Sequence, residues 1–352
     1  MELPLFSGNH ATGGIFIGTI LRSRPSTPLI FKPIRERINQ TSWRWLPRSS
    51  VNKQSSRTDE SQSSEIELLS CPVCYEPLIR KGPPGLILQA ICRSSFDCKK
   101  CYKSYSSDEH NYLDLTVTAG LKKYVEVKPV GTELFRRSFM SFIYEKGYRQ
   151  YFRRDGFPGP DEEFKMAQDY FKSTEGGVLV DVSCGSGLFA IRFAKSGTYS
   201  GVVALDFSEN MLLQCYDYLM RDPTNFLATT ILTTAVILFL IVRTDVSRLP
   251  FTSCSVDAVH AGAALHCWPS PSNAVAEITR VLRSGGIFVG TTFLRSSPSS
   301  TSWIFKPLNE RVLPSGNYFR EEEIEDLCTS CGLTNYSSKV DQSFIIFSAQ
   351  KP

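Results

Sequence analysis

The chain lacks any run of about twenty predominantly apolar residues, the length a membrane-spanning helix requires, so no transmembrane span is expected. Its greasiest uncharged stretch, Phe226 to Val242, stops at seventeen residues. The end of that stretch, near Val236 to Val242, reads as a sheet strand with a long apolar approach exposed to solvent or touching lipid. Strong net charge is missing as well: 39 Lys and Arg against 35 Asp and Glu leave +4, which permits an acidic partner without implying one. Acid is scarce at the start, where up to Thr58 only Glu2 and Glu36 oppose seven Arg and two Lys. A Ser- and Arg-rich, acid-poor segment over 1–64 suits an organelle transit peptide, disordered and later removed. A secretory signal fits less well, because Glu2 and no basic residue precedes the uncharged Ala11 to Leu21. Eleven cysteines, an odd number, argue against a secreted disulfide framework and for a reducing compartment.

What is present is organised around Val178-Leu179-Val180-Asp181-Val182-Ser183-Cys184-Gly185-Ser186-Gly187, followed after a helix-length gap by Val202-Val203-Ala204-Leu205-Asp206. A β-branched apolar run, a glycine-rich turn, amphipathic residues and a second apolar run ending in a carboxylate make a β-α-β nucleotide-binding pattern. Gly185 and Gly187 let the backbone turn tightly and approach a ligand, and the helix that opens there turns free N–H groups toward it. Asp206, at the tip of the second strand, is placed to accept hydrogen bonds from ribose hydroxyls. Gly185 to Ala190 also fits a dinucleotide fingerprint, so a nicotinamide oxidoreductase is the rival reading. Against that rival stand Asp181 just before the glycines, the acidic loop Asp245-Val246-Ser247-Arg248-Leu249-Pro250-Phe251, Leu265-His266-Cys267-Trp268, and Arg280-Val281-Leu282 leading to Gly285-Gly286.

In that order the motifs D-x-x-C-G-S-G, L-D-x-S, D-x-x-x-L-P-F, L-H-x-W and R-V-L-x-x-G-G resemble the class I S-adenosylmethionine-dependent methyltransferases. More closely, residues 68 to 350 resemble plant plastid members that carry an N-terminal zinc ribbon and are related to the ubiquinone/menaquinone C-methyltransferases. The resemblance implies a Rossmann-like α/β sheet of seven strands. It also implies a cofactor held by Asp206 at the ribose, Asp245 at the adenine, and Asp181, Ser183, Gly185 and Gly187 at the methionine end. Ser183 stands where many relatives have glycine, and Ser284 where the turn before the fifth strand usually has proline. A small or lipophilic, quinone-like acceptor in the plastid, at lipid bodies such as plastoglobules, is what the likeness suggests. Ribosomal-RNA base methylation and an inactive zinc-ribbon adaptor are the alternatives. No Asn-Pro-Pro-Tyr tetrapeptide occurs, which argues against the amino-methylating enzymes that use one.

Four thiolates at Cys71, Cys74, Cys98 and Cys101, two C-x-x-C knuckles about twenty residues apart, have the spacing to hold one structural Zn²⁺. The expected organisation is therefore the N-terminal segment 1–64, a zinc ribbon 65–120, a helical cover 121–175 and the cofactor-binding domain 176–352. Leu134, Phe135, Phe139, Phe142 and Ile143 recur at helical spacing with basic residues between them, a solvated face or a contact for RNA or anionic lipid. Asp161 is expected to cap the next helix. His266 follows the fourth strand, where substrate-side residues lie, and is the candidate base. Phe319 to Cys331 reads as an acidic amphipathic helix stopped by Gly332, holding Cys328 and Cys331 as packed thiols. Leu333 to Ser337 and Ser343 to Ala349 then form an antiparallel pair. The fragment Gly13 to Pro33 nearly repeats Gly285 to Pro307, and a single partial copy buries no face of its own.

Overall fold

The computed structural model describes residues 68–85, 88–107, 111–121, 123–124, 156–221, 238–295 and 318–352, all within one compact unit, Ser56–Pro352. The transit-like segment with its repeated fragment, the basic helical stretch up to residue 155, and the apolar approach at 222–237 lie outside the described residues.

The first strands are short. β1 (Leu78–Lys81) pairs antiparallel with β2 (Ser95–Cys98), and β2 pairs antiparallel with β3 (Ser104–Ser106). Between β1 and β2, helix α1 (Leu88–Cys92) buries Leu88, Ala90 and Ile91. Phe96 and Tyr105, opposite each other in register, are both buried. β4 (Leu113–Asp114) then leaves this small sheet and joins the large one, parallel to its edge strand.

The large sheet is built from β5 (Val178–Val182), β6 (Gly201–Asp206), β7 (Leu238–Arg243), β8 (Val256–Ala261), β9 (Leu282–Phe293), β10 (Thr334–Asp341) and β11 (Phe344–Gln350). Its order is β10-β11-β9-β8-β5-β6-β7-β4. The strands from β9 to β4 run parallel, whereas β11 lies antiparallel between β9 and β10. The seven strands expected from the sequence are all there, and β4 makes an eighth. Helices α2 (Pro160–Tyr170), α3 (Leu188–Lys195), α4 (Glu209–Met220), α5 (Pro271–Val281) and α6 (Glu321–Ser330) flank the sheet.

A parallel sheet covered on both faces needs apolar residues at successive positions, which is why its strands lack polar alternation. Odd and even residues divide between two cores. Val180, Val182, Val203, Leu205, Leu240 and Val242 pack with α5, α6 and the ribbon residues Leu69, Phe96 and Leu115. Leu179, Val202, Ala204, Phe239 and Ile241 pack with α2, α3 and α4. Burying each Val, Leu, Ile or Phe side chain among them contributes about 1.5–3 kcal/mol.

Two local details differ from the sequence reading. Gly159, not Asp161, is the cap of α2, because Pro160 takes the first helical position and starts the helix earlier. Asp161 instead lies in the first turn and meets Arg192 Nη2 at 3.0 Å. The C-terminal helix starts at Glu321, where Glu323 accepts from the backbone N–H of Arg320 at 2.8 Å. Gly332 follows that helix at φ +90°, a left-handed stop.

Among the described residues, no helix is long and apolar enough to cross a membrane.

Candidate cofactor site and metal centre

The turn after β5 is tight. Ser183, Gly185 and Gly187 have φ of 55°, 57° and 81°, a region that glycine enters freely and serine seldom does. A Cβ on Gly187 would come 2.3 Å from Cys215 Sγ of α4, so the missing side chain lets α3 and α4 approach. Gly187 then caps α3 with no side-chain acceptor of its own, leaving the first N–H groups of the helix directed outward for an anionic group.

Asp206 ends β6 beside this turn. Its Oδ2 accepts from Gly185 N at 2.9 Å and its Oδ1 from Ser208 N at 2.8 Å. Burial pushes its carboxyl up to about 6, against the opposing pull of the backbone donors Ser208, Gly185 and Phe207. Asp245 follows β7, where Thr244 N donates to Asp206 O at 3.0 Å, and its Oδ1 accepts from Ser247 N at 2.9 Å. The chain thus brings Asp206, at the end of β6, against the turn that holds Ser183, Gly185 and Gly187, with Asp245 on the adjoining loop. Asp181 lies beneath them. It is 1% exposed, its Oδ1 meets His260 Nδ1 at 2.7 Å, and its Oδ2 is buried without a hydrogen-bond partner.

A nucleoside cofactor with a cationic amino-acid end suits these residues. The carboxylate of Asp206 lies at the tip of β6 beside the turn, and the unpaired Asp181 Oδ2 is an acceptor in want of a donor.

His266 lies on the single helical turn Leu265–Cys267 after β8. Its Nδ1 meets Thr292 Oγ1 at 3.0 Å, and its ring stands edge-on to Phe293 at 5.1 Å and parallel to Tyr318 at 6.4 Å. Burial lowers its pKa to about 4, so the ring is neutral at ordinary pH. Phe157 packs on Phe293 at 4.4 Å and on Phe344 at 4.6 Å, so that buried Phe157 and Phe344 back Phe293 at the same edge of the sheet.

Three partners were invisible to sequence reasoning. Trp268 Nε1 donates to Ser183 Oγ at 2.9 Å, giving the unexpected serine a use. His260 holds Asp181. Glu163 of α2, buried, accepts from Thr291 Oγ1 at 2.8 Å, and that hydroxyl accepts from Ala263 N. Each pair is at least 28 residues apart, so no local pattern announces it.

Cys71, Cys74, Cys98 and Cys101 converge, with their sulfurs within 4.8 Å of one another. Cys71–Cys101 and Cys74–Cys98 are 3.4 Å apart and Cys74–Cys101 is 3.8 Å, near the roughly 3.8 Å edge of a tetrahedron with Zn–S of about 2.3 Å. Burial resists ionisation of Cys71, but the Tyr105 hydroxyl and the Val73 and Cys74 backbone outweigh it and hold the thiol down to about 7. Burial and the three neighbouring sulfurs push Cys101 up to about 12. Four thiols this close do not all ionise without a cation between them, and a tetrahedral cation of the zinc type fits the donor set.

The knuckles are anchored to the large sheet. Ser70 N donates to Pro250 O at 2.9 Å, Arg248 Nη2 donates to Val73 O at 2.6 Å, and Arg248 Nε also donates to Pro72 O. The Tyr75 ring lies under the guanidinium groups of Arg280 at 4.1 Å and Arg248 at 4.9 Å.

Sheet order, glycine turn and carboxylate at the second strand define an S-adenosylmethionine-dependent methyltransferase, and the chain belongs to that family. The methyltransferase domain family matches residues 180–290. An uncharacterised chloroplastic methyltransferase of Arabidopsis thaliana is 61% identical over 306 residues, 87% of this chain and 84% of the relative. A second such Arabidopsis thaliana protein is 48% identical over 297 residues, covering 83% and 81%. The demethylmenaquinone methyltransferase of Desulfitobacterium hafniense is 23% identical over 281 residues, covering 72% of this chain and 99% of its own length. Membership decides against the nicotinamide reading.

Proposed function

We propose that this chain transfers a methyl group from S-adenosylmethionine to a small, lipophilic, quinone-like acceptor in the plastid. The observation that carries the acceptor class is the aromatic wall of His266, Phe293 and Tyr318, backed by the buried Phe157 and Phe344, at the end of the sheet where the glycine turn lies. Such a wall suits a planar apolar ring better than a polyanion. Relatives point the same way: two are named as chloroplastic methyltransferases and a more distant one as a demethylmenaquinone methyltransferase. The acid-poor segment 1–64 serves as the transit peptide in this reading. It precedes a ribbon at 65–120, a cover at 121–175 and the cofactor domain at 176–352.

S-adenosylmethionine supplies an electrophilic methyl group when bound. The chain has to hold the cofactor, align the acceptor and exclude water. Asp206 takes the ribose hydroxyls, Asp245 the adenine edge, and Asp181, Ser183, Gly185 and Gly187 the methionine end. His266 is the acceptor-side residue. Its neutral ring is a weak base after burial, so it contributes chiefly by hydrogen-bonding and orienting an acceptor hydroxyl. Zn²⁺ on Cys71, Cys74, Cys98 and Cys101 is structural, since four thiolates leave no open position.

The test is methyl transfer from labelled S-adenosylmethionine by the purified full chain to prenylated hydroquinones and, separately, to plastid RNA. Label in the hydroquinone, lost in Asp206→Ala, supports the reading. Label in RNA alone sinks it.

A further inference from the structure

Asp181 on β5 and His260 on β8 are partners in strand register. Both side chains point to the α3 face, where His260 is wholly buried and Asp181 nearly so. The imidazole is boxed in by Phe189 at 4.9 Å and Phe193 at 5.2 Å between ring centroids. Above it, a Cβ on Gly262 would come 2.9 Å from His260 Cε1 and 3.1 Å from Phe189. The glycine therefore admits the ring. Among the described residues, no Lys or Arg forms an ion pair with Asp181. Yet Asp181 Oδ2 and His260 Nε2 are both buried without a partner. A carboxylate in an apolar box is costly unless both oxygens are used, and this one lies two residues before the cofactor turn.

We propose that His260 is a positioning residue for the cofactor. Its Nδ1–H donates to Asp181 Oδ1, which fixes the carboxylate plane and reserves Oδ2 for the ammonium end of S-adenosylmethionine, directly or through one buried water. The dyad rests on the reading that Asp181 serves the methionine end. Neutral imidazole is the form required, since a donor at Nδ1 without a second positive charge leaves Asp181 anionic toward an incoming ammonium. The Phe189 and Phe193 rings prevent the histidine from turning away.

Calorimetry with two ligands tests this in the full chain. S-adenosylhomocysteine carries the ammonium, and 5′-methylthioadenosine keeps the nucleoside but lacks the amino-acid end. His260→Leu removes the donor and fits the box. It is expected to weaken S-adenosylhomocysteine about tenfold while leaving 5′-methylthioadenosine within twofold. His260→Asn, which keeps a donor near the Nδ1 position, should recover most of that loss. Equal weakening of both ligands, or of neither, overturns the proposal. Asp181→Asn separates the two levels: if it alone loses S-adenosylhomocysteine selectively, Asp181 keeps its role and His260 loses its own. If Asp181→Asn spares that ligand, the methionine-end reading fails. Imidazole nitrogen NMR on the unmutated chain covers the case of an unfolded variant. A neutral His260 protonated on Nδ1 is expected, and an Nε2–H tautomer or a cation overturns the proposal.

Discussion

Trp268 donates its indole N–H to Ser183 Oγ at 2.9 Å across 85 residues of sequence, tying the loop after β8 to the first residue of the cofactor turn. Ser183 holds φ +55°, a conformation that costs a non-glycine residue on the order of 1 kcal/mol, and the bond to Trp268 offsets that cost. Ser183→Gly should leave the melting temperature within about 2 °C, since the relief of strain balances the lost bond. Ser183→Val, branched and without the acceptor, should cost about 1–3 kcal/mol in urea unfolding. Equal stability of the glycine and valine variants would refute the account.

Gly187 admits α4 to the turn. Gly187→Ala places a methyl 2.3 Å from Cys215 Sγ at φ +81°, and overpacking with left-handed strain should cost about 2–4 kcal/mol. Adding Cys215→Ala should restore part of that loss, leaving the strain. Chemical denaturation of the two variants and their double checks it, and strict additivity would count against a direct clash.

With Asp206 as the proposed ribose acceptor, cofactor affinity should depend on pH. Burial raises its carboxyl from 3.8 to about 6 in the free chain, whereas ribose hydroxyls donating to it favour the ionised form. Below about pH 6 the free site holds a proton that binding must expel. Affinity for S-adenosylhomocysteine should therefore rise up to about tenfold per unit toward pH 6 and then level off. For stability the sign is the reverse. A raised folded pKa gives a contribution fully present below about 4 and lost as pH rises through about 6. Calorimetry at pH 5, 6 and 7 in two buffers of different ionisation enthalpy reads the expelled proton directly. A pH-independent affinity in this range would contradict the assignment.

Metal removal should weaken the whole chain. Cys71 and Cys98 are buried in the core that also contains Val182, Leu240 and Phe251 of the large-sheet region. Chelation should lower the single melting transition by roughly 10 °C or more, because binding energy at such a site is folding energy. An early ribbon transition with the main one unmoved would show that the two parts fold independently.

Arg243 binds the ribbon to the edge of the sheet. Its guanidinium meets Asp114 of β4 at 2.9 Å and Glu209 of α4 at 2.8 Å, with 16% of the side chain exposed. Arg243→Met leaves two carboxylates facing each other and should cost about 1–3 kcal/mol, below the range for fully buried pairs. Hydrogen exchange at residues 111–116 should quicken before exchange in β5 does; uniform quickening would argue against a local tether.

The sequence alone determined the elements whose signal is short-range. Alternation-free β-branched runs announced β5, β6 and the end of β7, glycine spacing announced the turn, and C-x-x-C spacing announced the sulfur cluster. Each depends on residues a few positions apart, where backbone sterics and ligand geometry act directly. Gly159 displaced Asp161 as a helix cap because proline chemistry at the next position acts more strongly than a carboxylate's capping preference. Only the tertiary structure decided that β4 extends the sheet, that Asp181 belongs with His260, Ser183 with Trp268 and Glu163 with Thr291, and that Arg248 and Arg280 grip the first knuckle through Tyr75. Those choices follow from which strands become neighbours, a property of the whole chain's packing. A buried carboxylate or strained serine states in its sequence only that it needs a partner, and the order of strands supplies it.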